Sequence, residues 1–150
     1  MSVIGNLLWF IFGGGFALGL SWVFIGCLWC ITIIGIPIGI ACFRISAFAF
    51  FPFGKVLVPA EAVGEKAVVG SGLMNILWFI FSGLWLAISH VIVGVSYCLT
   101  IIGIPFGLAN FKIAQASLAP LGKRIVSTAK AKEIAAAAAQ AKQAAATEQQ

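Results

Sequence analysis

An all-α integral membrane fold, with about four transmembrane helices arising from two parallel repeats, is what this sequence predicts. Three observations carry the prediction. Of 150 residues, 62% are hydrophobic and 9% charged, with a mean hydropathy of +1.13, whereas a soluble domain carries about 25% charged residues to cover its surface. The apolar residues are gathered into two long runs, Val3 to Phe43 and Leu73 to Phe111, which hold no Asp, Glu, Lys or Arg and have His90 as their one histidine. The two runs also carry the same strings in the same order.

The runs are 41 and 39 residues long. A helix needs roughly 20 residues to cross a ~30 Å hydrocarbon layer, so each run is too long for one crossing and suits two. A cleaved signal peptide fits poorly, because Ser2 to Asn6 holds no Lys or Arg and the apolar stretch far exceeds about 15 residues. The N-terminal segment is expected to stay.

Self-comparison supplies the organisation. NLLWFIF at Asn6–Phe12 returns as NILWFIF at Asn75–Phe81, an offset of 69, and TIIGIPIG at Thr32–Gly39 returns as TIIGIPFG at Thr100–Gly107, an offset of 68. One residue is lost between the blocks. Phe43 with Phe111, Arg44 with Lys112, Pro52 with Pro120, Gly54 with Gly122 and Lys55 with Lys123 continue the match. Counted at the first offset, the mate of His90 is Ser21. The expected divisions are a first repeat at 1–58, a linker at 59–72, a second repeat at 73–128 and an Ala-rich tail at 129–150.

Charge sets the expected orientation. The net charge of +5 is nine cations, Arg44, Lys55, Lys66, Lys112, Lys123, Arg124, Lys130, Lys132 and Lys142, against four glutamates, and all nine lie outside the apolar runs. Cytoplasmic segments of membrane proteins carry such an excess. Two crossings per repeat then place the linker, the tail and both termini on the cytoplasmic face, with the repeats related by an axis along the membrane normal. Because the basic excess has this explanation, nucleic acid is not expected as a partner.

Within each repeat a first helix is expected from Asn6 to about Val23 and from Asn75 to about Val93, with the two asparagines either capping it or bonding between helices, the cap being the better reading at their terminal positions. The second helix is expected to break at Gly35-Ile36-Pro37 and Gly103-Ile104-Pro105, since proline lacks an N–H and disfavours helix at the residue before it. Ile38 to Phe53, mixing Arg44 with five phenylalanines, suits an interfacial helix. The tail, rich in Ala, Gln and Lys, suits a solvated helix with little to pack against.

The strings NILWFIF, TIIGIPFGLANFKIA and PLGKRIVS resemble the YccF family of bacterial inner-membrane proteins. The resemblance covers residues 1 to 128 and both copies, the first departing from the second by GIACFRIS for GLANFKIA. It implies a place in the bacterial inner membrane and a duplicated domain, and no reaction or transported substrate.

Catalytic chemistry finds little material. There is no Asp, and the carboxylates Glu61, Glu65, Glu133 and Glu148 suit solvated segments. Gly13-Gly14-Gly15 lacks phosphate-loop spacing, so close helix contact is the better reading. Cys27 and Cys30 form a C-x-x-C without a second pair, which in an apolar run reads as small hydrophobes rather than metal ligands. No catalytic residue, metal site or cofactor is expected. His90 stands apart, because an ionisable group at membrane depth faces a bundle interior or water. It reads either as a neutral imidazole bonded between helices or as part of an ion path with Gly35, Pro37, Gly103 and Pro105. Arg44, Lys112, Lys123 and Arg124 are candidate contacts for anionic lipid headgroups. Two functions follow: a homo-oligomeric channel or transporter component lined by the broken helices, or a non-transporting scaffold that binds membrane proteins or anionic lipid.

Overall fold

A computed structural model describes residues 2–66 and 70–147. Helices α1 (Ser2–Phe12), α2 (Gly15–Cys30) and α3 (Ile36–Phe50) lead into strand β1 (Lys55–Pro59); α4 (Ser71–Trp78), α5 (Leu84–Cys98) and α6 (Ile104–Leu118) lead into β2 (Lys123–Ser127), and α7 (Thr128–Thr147) follows. The chain is thus a helical membrane protein of two like halves, with a two-stranded ribbon that the reading as all-α did not include. Linker residues 67–69 and tail residues 148–150 lie outside the described residues.

In each half the first long helix folds back on the second as a hairpin. Lipid offers apolar side chains no less company than protein does, so such helices associate through close packing at small residues. Here the small residues are Gly26 and Gly39, beneath Phe43 and Cys30, matched by Gly94 and Gly107, beneath Phe111 and Cys98. A Cβ on Gly39 would run into Cys30 Sγ. The expected first helices ending near Val23 and Val93 therefore continue to Cys30 and Cys98.

The break at Gly-Ile-Pro is present, but it lies at the start of a helix and not in its interior. Thr32 Oγ1 accepts from the Gly35 N–H at 3.1 Å and Thr100 Oγ1 from the Gly103 N–H at 3.1 Å, closing the hairpin turn. Pro37 and Pro105 then occupy the first turns of α3 and α6, where the missing N–H has no helical partner to lose.

The asparagines do not cap helices. Asn6 Nδ2 donates to the Phe53 carbonyl at 3.1 Å while its Oδ1 accepts from the Phe53 N–H at 2.9 Å. Asn75 does the same to Leu121, both bonds at 3.1 Å. Beside them the buried indoles of Trp9 and Trp78 donate to the carbonyls of Ala49 at 2.7 Å and Ser117 at 2.5 Å. Each first helix is thereby fastened to the chain leaving its own hairpin, which is what positions the ribbon.

The lost residue is located by the turns after these tryptophans. Gly15 lies against the Trp9 indole nitrogen and Gly83 against that of Trp78, so the offset has changed from 69 to 68 within Trp9–Gly15. The first copy spends its extra residue on Gly14, at φ +73, a left-handed conformation suited to glycine. There α1 and α2 bend by 75°. In the second copy a π turn at Phe79–Gly83 carries the helix on, giving one rod from Ser71 to Cys98. At the corrected offset His90 corresponds to Trp22, not to Ser21, whose mate is Ser89; both serines return a hydrogen bond of 2.8 Å to the carbonyl four residues back.

Two pairs of equivalent residues meet each other. Leu57 pairs with Ile125 at the centre of the antiparallel ribbon, and Trp22 stacks on His90, ring centres 6.3 Å apart. Residues that touch their own repeat mates lie on the local two-fold axis, which therefore runs from the ribbon into the helical core. Across this axis α2 and α5 run antiparallel, since Trp29 near the end of α2 donates to Ser82 before α5 at 3.2 Å, and Tyr97 near the end of α5 donates to the Phe12 carbonyl before α2 at 3.4 Å.

By length and composition, Ile33–Phe50 and Ser71–Cys98 can cross a membrane, and the bent α1–α2 pair makes a third candidate. The 15-residue α6, about 22 Å long, falls short of a full span. The stretch expected as an interfacial helix, Ile38 to Phe53, falls largely in α3, which lies within the first of these candidate spans and buries a face from Ile38 to Ala49. Helix α7 buries no residue.

Candidate functional site

His90 is 3% exposed. Its surroundings fix its tautomer, because an indole can only donate. Trp22 Nε1–H points at His90 Nε2 from 3.4 Å, so Nε2 is the acceptor and the proton sits on Nδ1. Nδ1 lies 3.2 Å from Asn110 Oδ1, and Asn110 Nδ2 in turn donates to the Phe106 carbonyl at 3.1 Å. Both ring nitrogens of His90 are thus partnered with the imidazole neutral. Trp78 stacks on Trp22, centres 5.7 Å apart, closing the core with aromatic surface.

The remaining candidates for an ion path sit elsewhere. Gly35 and Gly103 lie under the carbonyls of Trp29 and Tyr97 in the hairpin turns, and His90 is eight residues, about 12 Å of helix, before the end of α5. The turns themselves present apolar side chains: Ile33 is 86% and Ile101 88% exposed. Pro37 and Pro105 line two separate cavities, the first with Ile40, Ala41, Arg44, Leu121, Gly122 and Arg124, the second with Leu108, Ala109, Lys112 and Phe53 among others. His90 and the Gly-Ile-Pro segments are not brought together.

The cations are. Lys55 and Lys123, repeat mates at the start of the two strands, reach back to the carbonyls of Ala47 at 3.4 Å and Gln115 at 3.3 Å, the side of each helix end that favours positive charge. Arg44, Lys55 and Arg124 line one cavity of about 360 Å³ beside the ribbon. Arg124 grips Glu65 through two nitrogens, Nε to Oε1 at 2.7 Å and a second bond to Oε2. That pairing holds the Glu65 carboxyl below the usual range, with a further contribution from the charge on Arg44. Neither Glu65 as a partner of Arg124 nor Asn110 as a partner of His90 was singled out from sequence. For Glu65 the chain gives no signal, the two residues being 59 apart; Asn110 was visible as a polar residue where the first copy has Cys42.

The family model described as the YccF inner membrane component domain matches twice, at residues 4–55 and 73–123. The chain belongs to the YccF family. The inner membrane protein YccF of Escherichia coli strain K12 is 36% identical over 132 residues, covering 85% of this chain and 88% of that protein. The protein of the same description from Shigella flexneri matches to the same extent. No solved structure matches. YccF membership supports the bacterial inner membrane as the location and a lipid bilayer as the surroundings, and the relatives carry no enzymatic name.

Proposed function

We propose that this YccF protein is a non-transporting membrane scaffold that rests its basic ribbon face on anionic headgroups of the cytoplasmic leaflet. The observation that carries the reading is the gathering of Arg44, Lys55 and Arg124 about the ribbon where both repeats end. Pairing of β1 with β2 supports one membrane face for the linker and the start of the tail. Basic residues close to a leaflet of anionic lipid contribute about 1 kcal/mol each, and the positive-inside rule makes that face cytoplasmic. The filled hydrogen bonds of His90 support a packing role for it in place of a relay.

The test is thermal stability of the purified protein in nanodiscs of phosphatidylcholine with and without phosphatidylglycerol. Stabilisation by the anionic lipid that fades with added salt is expected, as screening weakens exposed charge contacts. Equal stability in both lipids at low salt would overturn the reading. Reporters fused after Gly70 and at the C-terminus should both signal from the cytoplasm, and a periplasmic signal from either would overturn the orientation.

A further inference from the structure

We propose that Arg44 and Arg124 form a receptor for the phosphate of one anionic lipid, and that Glu65 is an internal stand-in which occupies it until a headgroup displaces the carboxylate. The inference rests on the anionic-lipid reading above and adds a defined site, its stoichiometry and its regulation.

The two arginines come from different repeats, α3 and β2, yet both line the 360 Å³ cavity beside the ribbon and the smaller one of about 140 Å³ that runs along Pro37, Ile40 and Ala41. A planar guanidinium presenting two parallel N–H groups matches a carboxylate and a phosphate alike. Arg124 already makes that bidentate contact with Glu65, and Arg44 is near enough for its charge to act on the same carboxyl. Arg124 therefore already holds an anion, supplied by the linker, beside cavities that both arginines line. Glu65 is about half exposed, so displacement uncovers no buried charge.

Lipid, and not a free anion, fits the surroundings. The smaller cavity leads from the arginines along Pro37 and Ile40, and the exposed stripe of α3 continues through Ile36, Ile40 and Phe43. A phosphate carrying hydrocarbon can place its head between the arginines and its chain along that stripe. The pseudo-symmetry adds a built-in contrast. In the second copy Lys112 stands for Arg44, and the position matching Arg124 is Val56, so the cavity at Pro105 and Leu108 holds one cation and no arginine pair. One lipid per chain follows.

Native mass spectrometry of the purified chain titrated with phosphatidylglycerol, phosphatidylcholine or inorganic phosphate tests this, with thermal unfolding to confirm that each variant is folded. Wild type should retain one phosphatidylglycerol in preference to phosphatidylcholine. Glu65→Gln should tighten that binding about two- to fivefold, the scale of an exposed ion pair. Arg44→Gln and Arg124→Gln should weaken it in folded protein, while Lys112→Gln leaves it unchanged. A preference for phosphatidylglycerol untouched by Glu65→Gln and Arg124→Gln would overturn the site while leaving the scaffold reading in place. No preference in wild type would overturn both. Inorganic phosphate that displaces the lipid at equal concentration would overturn the commitment to a lipid.

Discussion

Trp22 donates its indole N–H to Nε2 of His90, 3.4 Å away, and the two residues are the same position of the two repeats. The contact is where the halves of the molecule touch on their shared axis. Replacing His90 by Ala leaves Trp22 without its acceptor and Asn110 without its partner in a site closed to water. A loss of about 2–4 kcal/mol is expected, combining a cavity with unpaired polar groups. Unfolding of His90→Ala in detergent micelles measures it; stability equal to wild type would remove the interface role.

Asn6 and Asn75 each satisfy both polar backbone groups of one residue at the exit of their own hairpin. Asn6→Ala and Asn75→Ala should each cost about 1–3 kcal/mol, since the stranded N–H and carbonyl are half-buried. Asn→Asp should recover only part of the loss, because a carboxylate can accept from the N–H but cannot donate to the carbonyl. Full recovery in the Asp variants would contradict the two-bond clamp.

The hairpins predict opposite sensitivities two residues apart. Pro37→Ala and Pro105→Ala fall in first helical turns and should change stability by less than about 1 kcal/mol. Gly39→Ala and Gly107→Ala place a methyl against a cysteine sulfur and a facing carbonyl, and should cost about 1–3 kcal/mol or more. Thermal unfolding of the four variants decides it, and a large loss from the prolines with tolerance at the glycines would contradict the hairpin packing.

Glu65 gives a pH dependence of defined sign. Its folded carboxyl titrates below the ordinary glutamate value because Arg124 bonds its charged form, helped by the charge on Arg44. A lowered folded value means that the bridge contributes fully above the ordinary value, about 4.3, and is lost as pH falls through the folded one. Carbon-13 NMR of the glutamate carboxyls should show one titrating low in wild type and returning to the ordinary range in Arg124→Gln. A low value that persists in that variant would contradict the pairing.

Much of this fold was legible in the residues. The apolar runs announced a membrane protein, and the repeated strings announced two copies. What misled was a single glycine. Carrying the offset of 69 past Gly14 paired His90 with Ser21; at 68, His90 stands opposite Trp22 and Asn110 opposite Cys42. The two polar departures of the second copy are then bonded to each other, which the sequence contains once the register is right. An interior break at the prolines follows only if the first helices end at Val23 and Val93; they continue to Cys30 and Cys98, and a turn closed by Thr32 and Thr100 puts the prolines at helix starts. The strings KVLVP and KRIVS hold the β-branched residues of strands, yet too few to distinguish a short ribbon from linker. Contacts between distant residues, such as Asn6 with Phe53 or Glu65 with Arg124, leave no local pattern at all.

Ion flux tests most directly whether the helical core is a sealed scaffold or a conduit. Purified protein reconstituted in liposomes, loaded with proton- and potassium-sensitive dyes, should leak no faster than protein-free liposomes between about pH 5 and 8, the range in which histidine titrates. His90→Ala should behave identically, despite its lower stability. Flux well above the protein-free rate that is reduced or shifted in pH by His90→Ala would contradict the account, and would place the ion path at the Trp22–His90–Asn110 junction.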